Sequence, residues 1–342
     1  MGVDLADIVN EQSITLEGLK NKTLAVDAYN ALYQFLAIIR QPDGTPLKDR
    51  QGRVTSHLSG LLYRSANLYE KGIKLSFVFD GRPPELKQFE IQRRRQVREE
   101  AITRYHEALK EGKLEAARTY AQSTSQLKDL MVEDAKRLLD ALGISWVQAP
   151  GEGEAQASYM AANGDVWAVA SQDHDSLLFG APRMVKNLAI TGRRKLPRRD
   201  AYVEVAPGLI ELNKVLEKIS ITREQLVDAG ILVGTDFNEG VKGIGAKTAV
   251  KLIRENGRLE QVLEKNKKIQ LQSNYQNIRD IFLHPKVSSD YKLNWLEPNE
   301  EKVVSFLCGE RDFSEDRVRK AVSKIASSFH SKSNSTLESY FG

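Results

Sequence analysis

An α/β fold, with a mostly parallel sheet flanked by helices, is the reading this sequence supports, and three observations predict it. Short β-rich runs alternate with helical patterns along the first 205 residues, and such alternation builds a parallel sheet covered on both faces. The 342 residues are 41% hydrophobic, enough for a sizeable core and too many for a generally disordered chain. No run approaches the roughly 18 apolar residues that a membrane span needs, and the single Cys308 excludes an internal disulfide or a multi-cysteine zinc site. With Met1-Gly2-Val3-Asp4 unlike a secretory signal, a soluble protein of a reducing, intracellular compartment is expected.

The elements follow in order. Thr23-Leu24-Ala25-Val26, Leu75-Ser76-Phe77-Val78-Phe79, Ile144-Ser145-Trp146-Val147 and Val166-Trp167-Ala168-Val169 read as buried strands. Met184 to Leu188 and Tyr202 to Val205 are weaker strand candidates. Leu32, Phe35, Leu36 and Ile39 fall at helical spacing, as do Leu127, Leu130, Met131, Leu138, Leu139 and Leu142. Residues 82–126 are helix-forming but thinly apolar and rich in Arg, Glu and Gln. A segment with so few core residues projects from the body. From Thr222 onward the pattern is helical, and residues 327–339 hold six serines ahead of Tyr340-Phe341-Gly342, which reads as a flexible tail with an apolar tip. No internal repeat is present.

The acids carry the chemistry. Asp27 directly follows one strand and Asp80 the next; Glu152 and Glu154 follow the third, and Asp173 and Asp175 the fourth. In a parallel sheet all six emerge at one edge, where α/β proteins place their sites. A lone Asp after a strand is commonly a helix cap, but six carboxylates at one edge repel each other unless cations lie between them. Carboxylate oxygens suit hard divalent ions such as Mg²⁺ or Mn²⁺. Two such ions about 3.5–4 Å apart are a common device for cleaving phosphodiesters.

The basic residues point the same way. The net charge is only +4, from 50 Lys and Arg against 46 Asp and Glu. Residues 87–98 nevertheless hold Lys87, Arg93, Arg94, Arg95 and Arg98 against Glu90, and residues 183–199 hold seven basic residues, Arg194 and Lys195 among them, with no acid. Such blocks suit a phosphate backbone, a solvated face being the plainer reading. Residues 222–256 read as helix, tight hairpin, helix, centred on Gly243-Ile244-Gly245 with Lys247 behind and Asp236 ahead. Backbone N–H groups at such a turn, at the start of the next helix, bind phosphate without reading sequence.

Val26-Asp27-Ala28, Val78-Phe79-Asp80-Gly81-Arg82-Pro83-Pro84, Gly151-Glu152-Gly153-Glu154-Ala155, Gln172-Asp173-His174-Asp175 and Gly243-Ile244-Gly245 resemble, in order and spacing over nearly the whole chain, the archaeal-type flap endonucleases of the XPG-like 5′-nuclease superfamily. Gly153 stands where that family usually has Ala, and His174 where an apolar residue is more typical. The resemblance implies a PIN-like fold and cleavage of branched DNA near a 5′ flap, with 5′–3′ exonuclease activity, in Okazaki-fragment maturation and base-excision repair. It implies two Mg²⁺ ions, Mn²⁺ substituting, held by Asp27, Asp80, Glu152, Glu154, Asp173, Asp175 and Asp236, and K⁺ at the helix-hairpin-helix. Products would be a 5′-phosphate and a 3′-hydroxyl.

It further implies a nuclease domain over residues 1–326, with an N-region at 1–99, a helical arch at 82–126 and an internal region at 117–258. Lys87 and Arg94, seven apart on the arch's first helix, would lie over the scissile phosphate. Tyr33 would stack an unpaired base, and Leu47, Thr55 and Arg64 would pocket a one-nucleotide 3′ flap. Asn334-Ser335-Thr336-Leu337-Glu338-Ser339-Tyr340-Phe341, in the tail at 327–342, resembles a PCNA-interacting box whose Gln is replaced by Asn334, with Leu337, Tyr340 and Phe341 as its apolar plug. The implied protein is a monomer of the cytoplasm, nuclear in a eukaryote. The alternatives are a 5′ exonuclease or bubble-cutting nuclease of the same superfamily, a non-catalytic DNA-structure binder or clamp adaptor, and a single-strand RNase.

Overall fold

The computed structural model describes the chain except residues 1, 42, 125, 189–191, 196–201, 272–273 and 339–342, with the side chains at 89, 118, 123, 192–195, 202–204 and 331–338 also outside the description. In chain order the first half holds β1 (Gln12–Ser13), β2 (Thr23–Asp27), α1 (Ala28–Ile38), α2 (Ser56–Glu70) and β3 (Lys74–Phe79). A 3-10 turn (Glu85–Lys87) then leads into α3 (Gln88–Lys110), α4 (Leu114–Ser123), α5 (Asp129–Leu142), β4 (Ser145–Gln148) and α6 (Gly153–Ala162). Next come β5 (Ala168–Ala170), α7 (Asp175–Leu178), β6 (Arg183–Lys186), β7 (Gly192–Lys195), β8 (Tyr202–Val205) and β9 (Gly208–Glu211). The remainder is helical: α8 (Leu212–Ile219), α9 (Arg223–Val233), α10 (Ala246–Asn256), α11 (Leu259–Lys265), α12 (Tyr275–Leu283), α13 (Glu300–Val304) and α14 (Glu315–Glu338).

Seven strands form one sheet in the order β1-β9-β6-β5-β2-β3-β4. The pairs from β6 to β4 are parallel, and β9 and β1 add antiparallel strands at one edge. Alternation along the buried strands decides which helix each residue meets. Leu24, Val26, Phe77 and Phe79 share a core with α1, α2, α5 and α14, while Ala25, Val78, Val147 and Val169 pack on α6 at the opposite face. A further core joins α7 through α12 around Leu178, Ile231 and Phe282. The sheet is thus covered on both faces, which leaves the strand ends as the place where polar groups collect.

The arch segment is a helical pair. Helix α3 has few apolar residues, and the small Ala101 and Ala108 are buried, as are Ala117 and Ala121 of α4; α3 and α4 pack together closely. Lys87 closes the 3-10 turn instead of lying on α3 itself. It still precedes Arg94 by two helical turns.

One expectation is borne out with an unexpected partner, and one needs correction. Tyr202–Val205 is a strand, but it pairs with Gly192–Lys195 in a separate antiparallel ribbon, and the weakly patterned Gly208–Glu211 takes the position beside β6 in the main sheet. The tail expected from residue 327 is helical to Glu338 as part of α14. Val318, Val322, Ile325 and Phe329 recur at helical spacing; the first three are buried against the body, and Phe329 stacks on Tyr69 with ring centroids 6.3 Å apart. That stripe carries the helix through Ser327 and Ser328, and a serine's helix penalty is only a few tenths of a kcal/mol.

Candidate active site

The parallel strands deliver the acids as the sequence implies. Asp27 ends β2, Asp80 follows β3, Glu152 and Glu154 open α6 beyond β4, and Asp173 and Asp175 follow β5. Because β5, β2, β3 and β4 are neighbours, the six carboxylates gather at one sheet edge. Asp236 arrives from elsewhere. It sits in the turn between α9 and α10, where Thr235 and Asn238 bond each other's backbone, and the buried Phe237 is anchored edge-on against Phe282.

Each carboxylate has a distinct setting. Asp27 caps α1, accepting from Asn30 N at 3.0 Å, and Asp80 accepts from Gly153 N at 2.6 Å. A Cβ at Gly153 would lie 2.6 Å from that same Asp80 oxygen, so this glycine admits the close approach of carboxylate to helix start. Glu154 accepts from the hydroxyls of Ser171 at 2.5 Å and Ser176 at 3.1 Å. Asp175 accepts from Val3 N at 2.6 Å, and Asp173 from Asn30 Nδ2 at 3.2 Å. Cations enter from the arch: Lys87 pairs with Glu152 and, at 3.5 Å, with Asp236. Arg94 grips both Asp236 oxygens at 2.8 and 2.7 Å, while Glu90 receives its Nε at 2.7 Å.

The electrostatics follow from burial and from who holds a cation. Burial, then the charges of Asp80 and Asp173, push Asp27 up to about 8. Burial and Asp236 push Asp175 up to about 7, and Glu154 is raised well above the usual carboxylate range by burial beside Asp27 and Asp175. For Asp236 burial acts upward, but Arg94 and Lys87 outweigh it and hold the carboxyl low. Lys87 keeps its proton firmly despite burial, because Glu152, Asp236 and Asp80 surround it.

These donors fit a hard divalent ion by chemistry: all are carboxylate oxygens, and the raised pKa values of Asp27, Asp80, Glu152, Glu154 and Asp175 mark charge that the protein does not fully neutralise. Among the described residues, no three His, Cys, Asp or Glu side chains converge as a finished metal shell. The reason is visible. Lys87 and Arg94 draw Glu152 and Asp236 toward themselves, and N–H or hydroxyl groups engage Asp27, Glu154 and Asp175. An open depression of about 820 Å³ adjoins the acids, with Arg93, Lys186 and Lys242 in its wall beside Asp173 and Asp236.

The other expected residues are distributed as follows. Gly243 has φ +85° and Gly245 caps α10, and open space lies where a Cβ would sit at either; Lys247 is exposed, 3.9 Å from Asp7. Tyr33 is half-buried on α1. Thr55 N donates to Leu47 O at 2.8 Å, which brings those two together. Arg64 is apart from them, two and a half turns along α2, and lines a small cavity with Asn30, Gln34 and Asp27. The side chains of Arg194, Lys195, Asn334 and Leu337, and Tyr340 and Phe341 altogether, lie outside the described residues.

Several contributors escaped the sequence reading. Ser171, two residues before Asp173, and Asn30, three after Asp27, had a signal in their nearness to the motifs. Val3 had none. His174 is buried with Nδ1 3.3 Å from Val3 O and Nε2 3.3 Å from Lys186 Nζ, so it holds the N-terminal segment beside Asp175. An apolar residue there could not.

Comparison with known proteins agrees with this geometry. Residues 1–101 match the XPG N-terminal domain and residues 143–236 the XPG I-region, so fold and site define a nuclease of the XPG class. The flap endonuclease 1 of Hyperthermus butylicus is 56% identical over 333 residues, covering 96% of this chain and 95% of its own length. That of Pyrococcus furiosus is 51% identical over 342 residues, covering 100% and 99%. The solved flap endonuclease-1 of Methanococcus jannaschii superposes with a TM-score of 0.77 at 44% identity, covering 97% of this chain and 100% of that one. The chain belongs to the flap endonuclease 1 family, and its activity is that of a flap endonuclease. The catalytic core of Rad2 with DNA substrate shares the fold, with a TM-score of 0.71 at 23% identity. Among the described residues no helix is long and apolar enough to cross a membrane.

Proposed function

We propose that this chain hydrolyses branched DNA at the base of a 5′ flap, with Asp27, Asp80, Glu152, Glu154, Asp173, Asp175 and Asp236 holding two divalent ions, Mg²⁺ or Mn²⁺. The observation that carries this reading is the meeting of acids from four neighbouring strand ends and one hairpin with two arch cations in a single basin. Divalent ions held there would supply charge neutralisation at the phosphate and a water acidic enough to lose its proton near neutral pH.

The chain's own residues do the rest. Lys87 and Arg94 face the basin from the arch and donate to the scissile phosphate as negative charge grows on its oxygens. Attack by water with loss of the P–O3′ bond leaves a 5′-phosphate and a 3′-hydroxyl. Gly243, Gly245 and Lys247 present backbone N–H groups and an ammonium to the duplex, with K⁺ assisting at the hairpin, and Arg194 and Lys195 add to the phosphate contacts. Tyr33 stacks a base freed from pairing, while Leu47, Thr55 and Arg64 receive the 3′ flap. Freeing terminal nucleotides costs a few kcal/mol, least at an open junction, so branch geometry outranks base sequence. Okazaki-fragment maturation and base-excision repair are the settings that supply such junctions, and 5′–3′ exonuclease action at nicks uses the same basin. The protein works as a monomer in the cytoplasm, and Asn334, Leu337, Tyr340 and Phe341 dock it on a PCNA clamp.

Incubation with 5′-labelled double-flap DNA and Mg²⁺, beside Asp173→Ala and an EDTA control, tests the proposal. A discrete product from the wild type alone is expected. Binding without cutting in the wild type would instead support the adaptor alternative.

A further inference from the structure

Asn30 lies in the first turn of α1 and touches two of the basin's acids at once. Its backbone N–H donates to Asp27 Oδ1 at 3.0 Å, and its side-chain Nδ2 donates to Asp173 Oδ2 at 3.2 Å. These acids close two adjacent parallel strands, where Val26 of β2 pairs with Ala170 of β5. Asn30 therefore bridges the strand ends with a neutral donor, where a Lys or Arg would bring a charge to compete with a cation.

An asparagine amide can present either oxygen or nitrogen to a neighbour, and the hydrogen-bond network decides which. Here Gln34, one helical turn on, donates Nε2 to Asn30 Oδ1 at 2.5 Å. With that oxygen engaged, Nδ2 is left to face Asp173. Gln34 holds this orientation although its own buried Oε1 has no hydrogen-bond partner among the described residues. An unpaired buried acceptor is a cost to the fold, so stability alone does not account for the arrangement.

We propose that Asn30 and Gln34 are positioning residues of the catalytic basin: Gln34 fixes the amide of Asn30, and Asn30 holds Asp173 and Asp27 at the separation a bound divalent cation requires. The inference rests on the reading of the basin as a cation site. Groups that orient ligating side chains typically influence metal affinity by roughly 10–100-fold.

Calorimetric titration of the full chain with Mn²⁺, without DNA, tests it on the wild type, Asn30→Leu and Gln34→Met. Asn30→Leu should weaken Mn²⁺ binding by roughly 10–100-fold, and Gln34→Met should weaken it in the same direction by a smaller factor. In flap cleavage, Asn30→Leu should leave KM for DNA unchanged and lower kcat at limiting Mg²⁺, with recovery at high Mg²⁺. A folded Asn30→Leu that binds Mn²⁺ like the wild type, losing only thermal stability, overturns the inference. If Asn30→Leu does not fold, unchanged binding by Gln34→Met overturns it equally. Failure of the wild type to bind Mn²⁺ is a different result, since it removes the cation reading itself and the inference with it.

Discussion

Two clusters of acids in this molecule are handled in opposite ways. Behind the hairpin, Asp228 of α9 and Glu260 of α11 share one guanidinium: Arg279 donates to Asp228 at 2.7 Å and to Glu260 at 2.7 and 3.1 Å. Leu259 N occupies the other Asp228 oxygen at 3.0 Å. Burial lifts Asp228, but Arg279 works against that rise and draws Glu260 below its ordinary value. That cluster is closed from within. At the strand ends, Asp27, Glu154 and Asp175 rely on N–H and hydroxyl donors, and burial among like charges raises all three. A carboxylate kept from water and left short of a cation is a cost to the fold, so the second cluster is organised for something the chain does not itself contain.

The sharpest way to break this contrast is to remove one acid from each cluster. Asp27→Ala should lower flap cleavage by on the order of 10³-fold or more, while stability in EDTA falls by no more than the loss of one helix cap, about 0.5–2 kcal/mol. Asp228→Ala should instead remove one of the two acids that Arg279 joins and leave Leu259 N without its acceptor, costing about 1–3 kcal/mol of stability, while cleavage per folded molecule stays within error. Cleavage rates and denaturation curves for both variants decide the matter; equal losses of activity would erase the distinction.

Next in size are the arch cations. Removing a donor that stabilises charge at the reacting centre typically costs about 10²–10³ in kcat. Lys87→Ala is expected to fall in that range under single-turnover conditions with DNA saturating. A drop confined to DNA affinity would make Lys87 a binding residue only.

Acid-base titration of the metal-free protein sharpens the comparison further. Asp27 and Asp175 have folded pKa values raised to about 8 and about 7. A raised folded value contributes stability that is present below the unfolded pKa and lost as pH rises through the folded one. In EDTA the thermal midpoint should therefore fall between pH 6 and pH 8, each retained proton being worth about 1.4 kcal/mol per pH unit. Adding Mn²⁺ should flatten the curve. A flat curve in EDTA would mean that the acids are neutralised from within after all.

The smallest expected effect is at Gly153. Its absent side chain lets Asp80 sit against the start of α6. Gly153→Ala would put a Cβ 2.6 Å from the Asp80 oxygen, so it should push that carboxylate away from the helix start and weaken Mn²⁺ binding by a small factor, with the fold intact. Calorimetry on this variant would show how tightly the basin's spacing is set.

Much of the site was legible beforehand because it depends on local order and strand direction. Leu24-Ala25-Val26 running into Asp27, and Phe77-Val78-Phe79 into Asp80, are patterns of a few residues. Parallel pairing then sends every such acid to one edge. The hairpin was legible for a similar reason, since Gly243 and Gly245 act through their own backbone. The antiparallel β9 was not, because its own pattern is weak and its pairing partner is distant, and neither was the extension of α14, because Phe329 meets Tyr69 from far along the chain.

Sequence alone was sufficient for the strand-to-helix alternation, the set of acids and the edge at which they meet, because side-chain period and chain direction are properties of consecutive residues. Packing alone could settle which groups neutralise those acids. Lys87 reaches Glu152 across 65 positions, Asn30 reaches Asp173 across 143 and Val3 reaches Asp175 across 172. Such contacts have no local signature: they exist only where the helices covering both sheet faces hold distant segments at fixed positions, and electrostatic interaction depends on that spatial distance and on the exclusion of water.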